Sequence, residues 1–559
     1  MDKKDPPWLA EKLLSWFMHD HHEAVLGDLE EAFHDHCAHY GRWQAQWLYW
    51  HQVFSSIPPF FLYTLAWNTL MIRNYLKIAV RTLLKHKSFS GINILGLAAS
   101  MAVCLLIILF IRDQKSYDSF HEQADRVYRV VADAVDPDSN VIAVSATPAP
   151  LAGVLERDMP GVEAAVRLRP LQTLATHEGK TLPVQGFFAD ASFFEVFSFP
   201  LAAGHPGQVL AKPNTIVLSR KMAERFFGTQ NPIGQILTFD QGGDFVVTGV
   251  LDPFPGKSHL KFEALASFSS LQNWEDEREV LADWHVFYRY YTYVLLEDQQ
   301  AAATLAAGLP AIVKQQYPAR EQAYYRFDLQ ALPDINLGEA RNNEIGFILP
   351  GLVAYFLAGL ALIIMLTACF NYVGMSVARS LSRAREVGIR KVVGAHRGQI
   401  MRQFVSEAVV VALLALVVAC GLLFVLVPVF NSLWFVQMSQ TQIALNWGGA
   451  SLYVVLLVFS VVVGIVAGLY PAVYLSRFAP VHVLQGGAGS QSGGLRLRKV
   501  LVASQFAFSL VFMVSMVALY QQLQLMTHAD YVFDDERVVN VAMPGVTYET
   551  LRAALLTDP

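Results

Sequence analysis

Three stretches of this chain hold residue types that could do chemistry. "EGKT" (Glu178–Thr181) and "PGKS" (Pro255–Ser258) end like a phosphate-binding loop, in which glycine backbone and a lysine cradle a nucleotide's phosphates. That loop also needs a glycine five residues before its second glycine, where Leu174 and Leu251 stand instead. Both stretches read as ordinary turns, and no complete loop of this type occurs elsewhere. The second group is His19, His21, His22, His34, His36, His39 and Cys37, residue types that bind zinc. No ligand quartet at zinc-site spacing emerges, so a helical bundle with solvated histidines is expected and no metal. The third is "REVGIRKVVGAHRGQI", Arg385–Ile400, which packs charge and glycine between two apolar runs. Its chemistry is contact rather than catalysis: a loop, a lipid-binding patch, or a surface for a partner.

The surrounding elements narrow that choice. The 559 residues are 54% hydrophobic and 16% charged, with mean hydropathy +0.34 and net charge −5. Soluble domains carry roughly 25% charge, so part of this chain lies in a medium poorer in water. The small net charge argues against a nucleic-acid partner. Of Cys37, Cys104, Cys369 and Cys420, three lie in apolar runs and none in the polar middle, which speaks against a disulfide-stapled fold.

Four runs reach the roughly 20 residues a bilayer-crossing helix needs: Ile92–Ile111, Gly346–Phe370, Ala408–Phe430 and Leu452–Val473. A fifth, Val500–Tyr520, follows "QGGAGSQSGGL". None holds an Asp, Glu, Lys or Arg in its interior, and such groups are the usual machinery of ion-coupled carriers. Lys and Arg crowd three flanking segments, including Arg379, Arg383, Arg385, Arg390, Lys391, Arg397 and Arg402. The positive-inside rule makes those segments cytoplasmic and puts the large polar region outside. Val53–Ile72 is nearly as apolar, but Pro58-Pro59 should break a helix there, leaving a short membrane-adjacent helix.

The fold class expected is therefore membrane α-helical with about five spans, a large α+β extracytoplasmic domain and a small helical cytoplasmic prefix. In residues, the order is a prefix (1–70), a basic amphipathic segment (71–91), a span (92–111), the outside domain (112–345) and a span (346–370). A cytoplasmic coupling segment (371–407), spans 408–430 and 452–473, a Gly-rich linker (474–499), a span (500–520) and the start of a second outside domain (521–559) follow. Outside, "RVYRVVADAV", "DFVVTGVL" and "FYRYYTYVLL" have strand character. "SRKMAERFFG" is a helix capped by Ser219 and stopped at Gly228, and Asp298 opens another. In the prefix, Asp28 is placed to cap a helix whose first turn carries Glu30 and Glu31.

As a helix from about Ala378 to Val393, the third stretch has a charged stripe of Arg379, Arg383, Glu386 and Arg390. Leu381, Ala384, Gly388 and Val392 form an apolar stripe behind it. Glu386 precedes Arg390 by four, the favourable order for an intrahelical pair, and Gly394 suits the helix end. The residues alone leave two readings open: a basic helix on anionic lipid, or a stiff lever tied to two spans.

"NYVGMSVARSLSRAREVGIRKVVGAHRGQIMRQFVSEAVV" resembles the signature of FtsX-like permeases, shared with MacB-type ABC transporters. "SYDSFHEQADRVYRV", "FFADASFFEVFSFPLAAGHPGQVLAKPNTIVLSRKMAERFFGTQNPIGQ" and "VVTGVLDPFPGKSHLKFEALASFSSL" are similar to the MacB-type extracytoplasmic core. "LLSWFMHDHHEAVLGDLEEAF" and "QWLYWHQV" resemble the prefix domain of some such permeases. The resemblance implies a multi-pass protein of the bacterial inner membrane with a cytoplasmic N-terminus. It implies a non-catalytic permease subunit without cofactor, coupled to a cytoplasmic ABC ATPase that binds the ATP. The implied ATPase contacts are Arg383, Arg385, Glu386, Gly388, Ile389, Arg390, Lys391, Gly394 and Ala395. Membrane lipid, a second permease or a periplasmic adaptor are the further partners. The work done would be export, extraction or mechanotransmission. "LRLRKVLVASQFAFSLVFMVSMVALY" repeats the logic of "VRTLLKHKSFSGINILGLAASMAVCLLIILFI", the pattern with which a second permease unit would begin. The alternative function is a membrane sensor whose outside domain binds a ligand and whose basic segment recruits a signalling protein.

Overall fold

The computed structural model describes residues 7–10, 12, 22–135, 141–240, 242–254, 256–439, 441–445, 450–476, 492–527 and 548–557. Two compact units result. One gathers Met1–Ala102, Met365–Gly421 and Trp447–Val511; the other Val103–Ile364, Leu422–Asn446 and Phe512–Pro559.

The N-terminal region is a helical hairpin of α1 (His22–Tyr40) and α2 (Arg42–Lys85), turned at Gly41 with φ 82°. Leu29 and Phe33 bury against Ala45, Tyr49 and Val53. Two local expectations fail here. Asp28 lies inside α1 rather than at its cap, because the packing of Leu29 and Phe33 on α2 outweighs a capping bond worth about 1 kcal/mol. Pro58-Pro59 do not end α2, which runs unbroken for 44 residues; helices tolerate proline where neighbouring turns carry on the bonding. The side chains of 56–72, and His19 and His21, lie outside the described residues.

Helix α3 (Lys87–Lys115) leads into the sheet domain. Among the described residues eleven strands form one sheet: β1 (Val127–Val135), β2 (Val141–Val144), β3 (Val162–His177), β4 (Lys180–Ala189), β5 (Leu201–Ala203), β6 (Thr215–Ser219), β7 (Ile236–Phe239), β8 (Gly243–Leu251), β9 (Ala264–Ser267), β10 (Tyr291–Leu296) and β11 (Tyr325–Ala331). Their order is β11-β1-β10-β3-β4-β9-β6-β8-β5, with β2 on β1 and β7 on β3 and β8. Only β4–β9 and β6–β8 pair in parallel. A mainly antiparallel sheet with helices on it is the α+β class. Helices α4 (Pro150–Asp158) and α6 (Ala301–Gln316) cover one stretch of it through Leu151, Leu155, Leu305, Leu309 and Ile312. Helix α5 (Arg220–Phe227) covers another through Met222, Phe226 and Phe227. Ser219 accepts from the Met222 amide (3.3 Å) and Gly228 stops α5 with φ 61°. Asp298 accepts from the Ala301 amide (2.8 Å) at the start of α6. "EGKT" is the β3–β4 turn, with Glu178 at φ 47° and Gly179 at φ 82°.

The remaining long helices are α7 (Gly351–Ala378), α8 (Ser380–Val392), α9 (Arg397–Asn431), α10 (Ala450–Ser476) and α11 (Ser492–Thr527), followed by the short α12 (Tyr548–Thr557). Among the described residues, five helices are long and apolar enough to cross a membrane: Lys87–Lys115, Gly351–Ala378, Arg397–Asn431, Leu452–Ser476 and Lys499–Met526. Helix α7 begins five residues later than its apolar run, since Gly346 takes φ 77° and Pro350 precedes the first turn. Helix α9 starts eleven residues earlier than its run, drawing Glu407 into a continuous helix. Helices α9 and α10 touch closely. A Cβ on Gly468 would sit 2.6 Å from that of Ala408, and one on Gly464 2.6 Å from the Val409 Cα. Small residues four apart permit such backbone approach between membrane helices.

Candidate coupling elbow and membrane joint

The turn from α8 to α9 is built from both ends. The Ala395 amide donates to the Arg390 carbonyl (3.0 Å) and the Gly394 amide to the Lys391 carbonyl (3.1 Å), with Gly394 at φ 102°. That pair of bonds is a Schellman cap, which uses the left-handed freedom of glycine. On the other side the His396 amide donates to Gln399 Oε1 (3.3 Å), the third residue of the new helix. This is the reciprocal half of a capping box. Two helices therefore meet at a defined angle rather than through a slack loop.

Side chains then staple α8 down. Arg383 donates to Glu407 Oε2 at 2.6 Å, and Gln403 donates to Glu407 Oε1 at 3.3 Å. Arg390 bonds Gln403 and also Glu386 Oε1 at 2.6 Å. Glu407 and Gln403 are 9% and 7% exposed, so their polar atoms must be paired within the protein. Lys391 reaches across to the Ser476 carbonyl of α10 at 2.6 Å. Burial, and then the Arg397 charge, hold its ammonium below the usual lysine range. Beneath this ladder Val387 packs with Ile400, Phe404, Ala472 and Leu475, and Ala395 lies against them. Arg383 also stacks over the Phe404 ring at 5.6 Å.

Neither expected stripe therefore keeps to one side of the helix. Arg383 and Arg390 turn inward onto α9, Gly388 is buried, and Val392 of the supposed rear stripe is 65% exposed. With Ile389 at 53% and Val393 at 82% it makes a bare apolar edge beside Glu386. The reason is tertiary: Glu407 and Gln403 on α9 offer acceptors that a lone helix lacks. The side chains of Arg385, Leu381 and Ala384 lie outside the described residues. Glu407 and Gln403 were missed because they precede the apolar core of their span; their spacing of four, one helix turn, was the available sign.

A second cluster lies where α3 enters the sheet domain. Lys257 Nζ donates to both Asp113 carboxylate oxygens (2.7 Å each) and to the Gln442 carbonyl (2.5 Å). Lys261 donates to the Ser439 carbonyl at 2.8 Å. One loop after β8 therefore grips both the end of α3 and the connection between α9 and α10. Of "PGKS", Pro255 lies outside the described residues, and Gly256 is closely packed: a Cβ there would meet the Phe120 ring at 2.6 Å. Next to it Ser258 donates to Asp118 Oδ1 (2.6 Å) and His259 Nδ1 to Oδ2 (2.7 Å), leaving Nε2 to accept from Tyr293 (2.8 Å). Burial alone would raise Asp118, but the His259 imidazole, the His121 ring with Nε2 3.7 Å away, and bonds from His259 and Ser258 hold it well below the usual carboxylate range. Asp118 itself has φ 58°. Among the described residues no cluster of three or more His, Cys, Asp or Glu could hold a metal.

A family model of the MacB-like periplasmic core domain matches residues 90–312, and one of the FtsX-like permease C-terminal domain matches 358–480. The chain belongs to the MacB- and FtsX-like ABC transporter permeases. The permease is 25% identical over 300 residues to the macrolide export ATP-binding/permease protein MacB of Burkholderia cenocepacia (strain HI2424), covering 52% of this chain and 40% of that one. It is 21% identical over 425 residues to the uncharacterized ABC transporter permease YknZ of Bacillus subtilis (strain 168), covering 73% and 98%. The chain thus spans less than half the length of the MacB proteins it matches. Among solved structures, the periplasmic region of MacB from Actinobacillus actinomycetemcomitans aligns with TM-score 0.27 at 14% identity, over 37% of this chain and 88% of that one. The extracellular domain of YknZ aligns with TM-score 0.27 at 16% identity, over 36% and 99%. The permease is a multi-pass membrane protein with an elbow and a joint inside its matched domains.

Proposed function

We propose that this permease is the non-catalytic membrane subunit of an ABC system whose ATPase is a separate cytoplasmic chain, and that α8 receives the push. The elbow carries the reading. Helix α8 is stapled to α9 and α10 by Arg383, Glu407, Gln403, Arg390 and Lys391, while Ile389, Val392 and Val393 stay bare. A lever must be stiff against its own spans and open toward its driver, and apolar patches rimmed by charge are what partner chains bury. The basic flanks favour a cytoplasmic elbow and N-terminus in a bacterial inner membrane, with the sheet domain beyond the bilayer. ATP-driven closure of the partner then displaces α9 and α10. The Lys257 joint ties their connection and the end of α3 to the sheet domain, so the displacement becomes a change of that domain. Export, extraction and mechanotransmission all use this motion.

Affinity purification from native membranes, with identification of what accompanies the chain, tests the reading. The expected result is a small ABC ATPase that is lost in Glu386→Ala/Arg390→Ala. Robust ATP hydrolysis by the isolated chain, or no ATPase with the wild type, overturns it. A sensor would instead bring a signalling protein.

A further inference from the structure

Between α2, α3, α7, α9 and α10 lies a cavity of about 50 Å³, walled among others by Ser90, Asn93, Tyr372, Arg379, Arg383 and Glu407. A few waters would fill it. All of its walls belong to one compact unit. Its chemistry is polar and cationic in an otherwise apolar bundle. The Arg379 guanidinium lies over the Phe89 ring at 4.6 Å, a geometry that holds a cation in place. Arg383 faces the same space and shares Glu407. At the α2–α3 junction, His86 is made less basic by burial and then by the charges of Arg379, Lys85 and Arg383, so the local field is positive. Asn93 supplies the second sign. Its Nδ2 donates to the Phe89 carbonyl (2.9 Å), it is 3% exposed, and its Oδ1 has no partner among the described residues. A buried acceptor without a donor is destabilising, and a bound group can relieve it.

We propose that this cavity seats the phosphodiester headgroup of an anionic glycerophospholipid. The phosphate answers the arginines, and a headgroup hydroxyl donates to Asn93 Oδ1. Depth agrees with that occupant. Arg379 directly follows the last residue of α7, Ser90 and Asn93 lie in the first two turns of α3, and Leu475 is one residue from the end of α10. These are the positions where spans leave the hydrocarbon, the level at which basic pockets between membrane helices take lipid headgroups. Arg383 ties the cavity to the elbow, so a seated lipid would brace α3 and α7 against α9.

Native mass spectrometry of the full chain, released from detergent micelles containing phosphatidylglycerol or phosphatidylcholine, reads the bound lipid by mass. The expected result is retained phosphatidylglycerol, with much less phosphatidylcholine. Arg379→Met should cut retention at least about tenfold, the loss of one charged hydrogen bond. Asn93→Asp keeps the side chain's size and adds a repelling charge, so it should do the same if Arg379→Met fails to fold. Arg402→Met, an exposed change outside the cavity, should retain lipid like the wild type. Equal retention in wild type, Arg379→Met and Asn93→Asp overturns the proposal. So does equal retention of the two lipids, or displacement of phosphatidylglycerol by inorganic phosphate alone, which would make the ligand a free anion.

Discussion

Lys257 Nζ stands 2.7 Å from both carboxylate oxygens of Asp113 and 2.5 Å from the Gln442 carbonyl. One ammonium thus joins the end of a span, a loop of the sheet domain and the connection between two further spans. The pair is only partly exposed, 32% and 15% at the side chains, so it is worth more than a surface ion pair. Removing the cation leaves a desolvated carboxylate behind. Lys257→Met should destabilise the protein by about 1–3 kcal/mol, read as a fall in melting temperature in detergent. In a double-mutant cycle with Asp113→Asn the two losses should not add. ATPase recruitment should persist in Lys257→Met while transport-linked activity falls.

The Arg383–Glu407 bond anchors the elbow from below. Glu407→Gln keeps the shape but removes the charge that holds Arg383 and supports Gln403. A loss of about 2 kcal/mol is expected for a charged hydrogen bond, measured by thermal unfolding. Stimulation of the partner ATPase should fall further than binding does, because the lever is loosened rather than erased.

The bare edge of α8 makes the opposite forecast. Ile389→Asp and Val392→Asp touch no packed core, so stability should stay within about 0.5 kcal/mol. Affinity for the ATPase should drop at least about tenfold, the effect of one modest interface anchor. Unchanged co-purification would remove this edge from the interface.

Gly394 at φ 102° has no atom among the described residues within 4 Å of an added Cβ. Its requirement is therefore conformational alone. Gly394→Ala should cost about 1–2 kcal/mol and should lower coupling without altering the side chains that line the contact edge. Circular dichroism and ATPase stimulation together distinguish that outcome from global unfolding.

Asp118 gives a pH dependence with a definite sign. Its folded-state carboxyl titrates below its ordinary value, so the unfolded chain binds the proton more readily. The stabilisation is complete above the unfolded value of about 4 and declines as the pH falls toward the lower folded value. The melting-temperature gap between wild type and Asp118→Asn should therefore be full at neutral pH and narrow below about pH 4. A gap that widens in acid would contradict the arrangement around His259.

Much of the architecture is local and was legible in the residues. Five apolar runs announce five membrane-length helices because a bilayer demands length and composition rather than particular contacts. Ser219, Gly228 and Gly394 mark helix ends because capping involves only a few neighbouring residues. Alternation along "RVYRVVADAV" and the β-branched and aromatic content of "DFVVTGVL" read as strand for the same reason. Orientation of side chains on α8 was not legible. A helix with charges at steps of three and four shows a charged face in isolation, yet Glu407 and Gln403 arrive from a separate helix and draw Arg383 and Arg390 inward. Asp28 lost its capping role, and Pro58-Pro59 did not interrupt α2; local preferences of a few kcal/mol yield to the surroundings of the assembled helices. Lys257 looked like part of a false nucleotide motif, and its partners Asp113 and Gln442 stand 144 and 185 residues away. Such pairings depend on which segments the fold brings together, so only the tertiary structure could decide them.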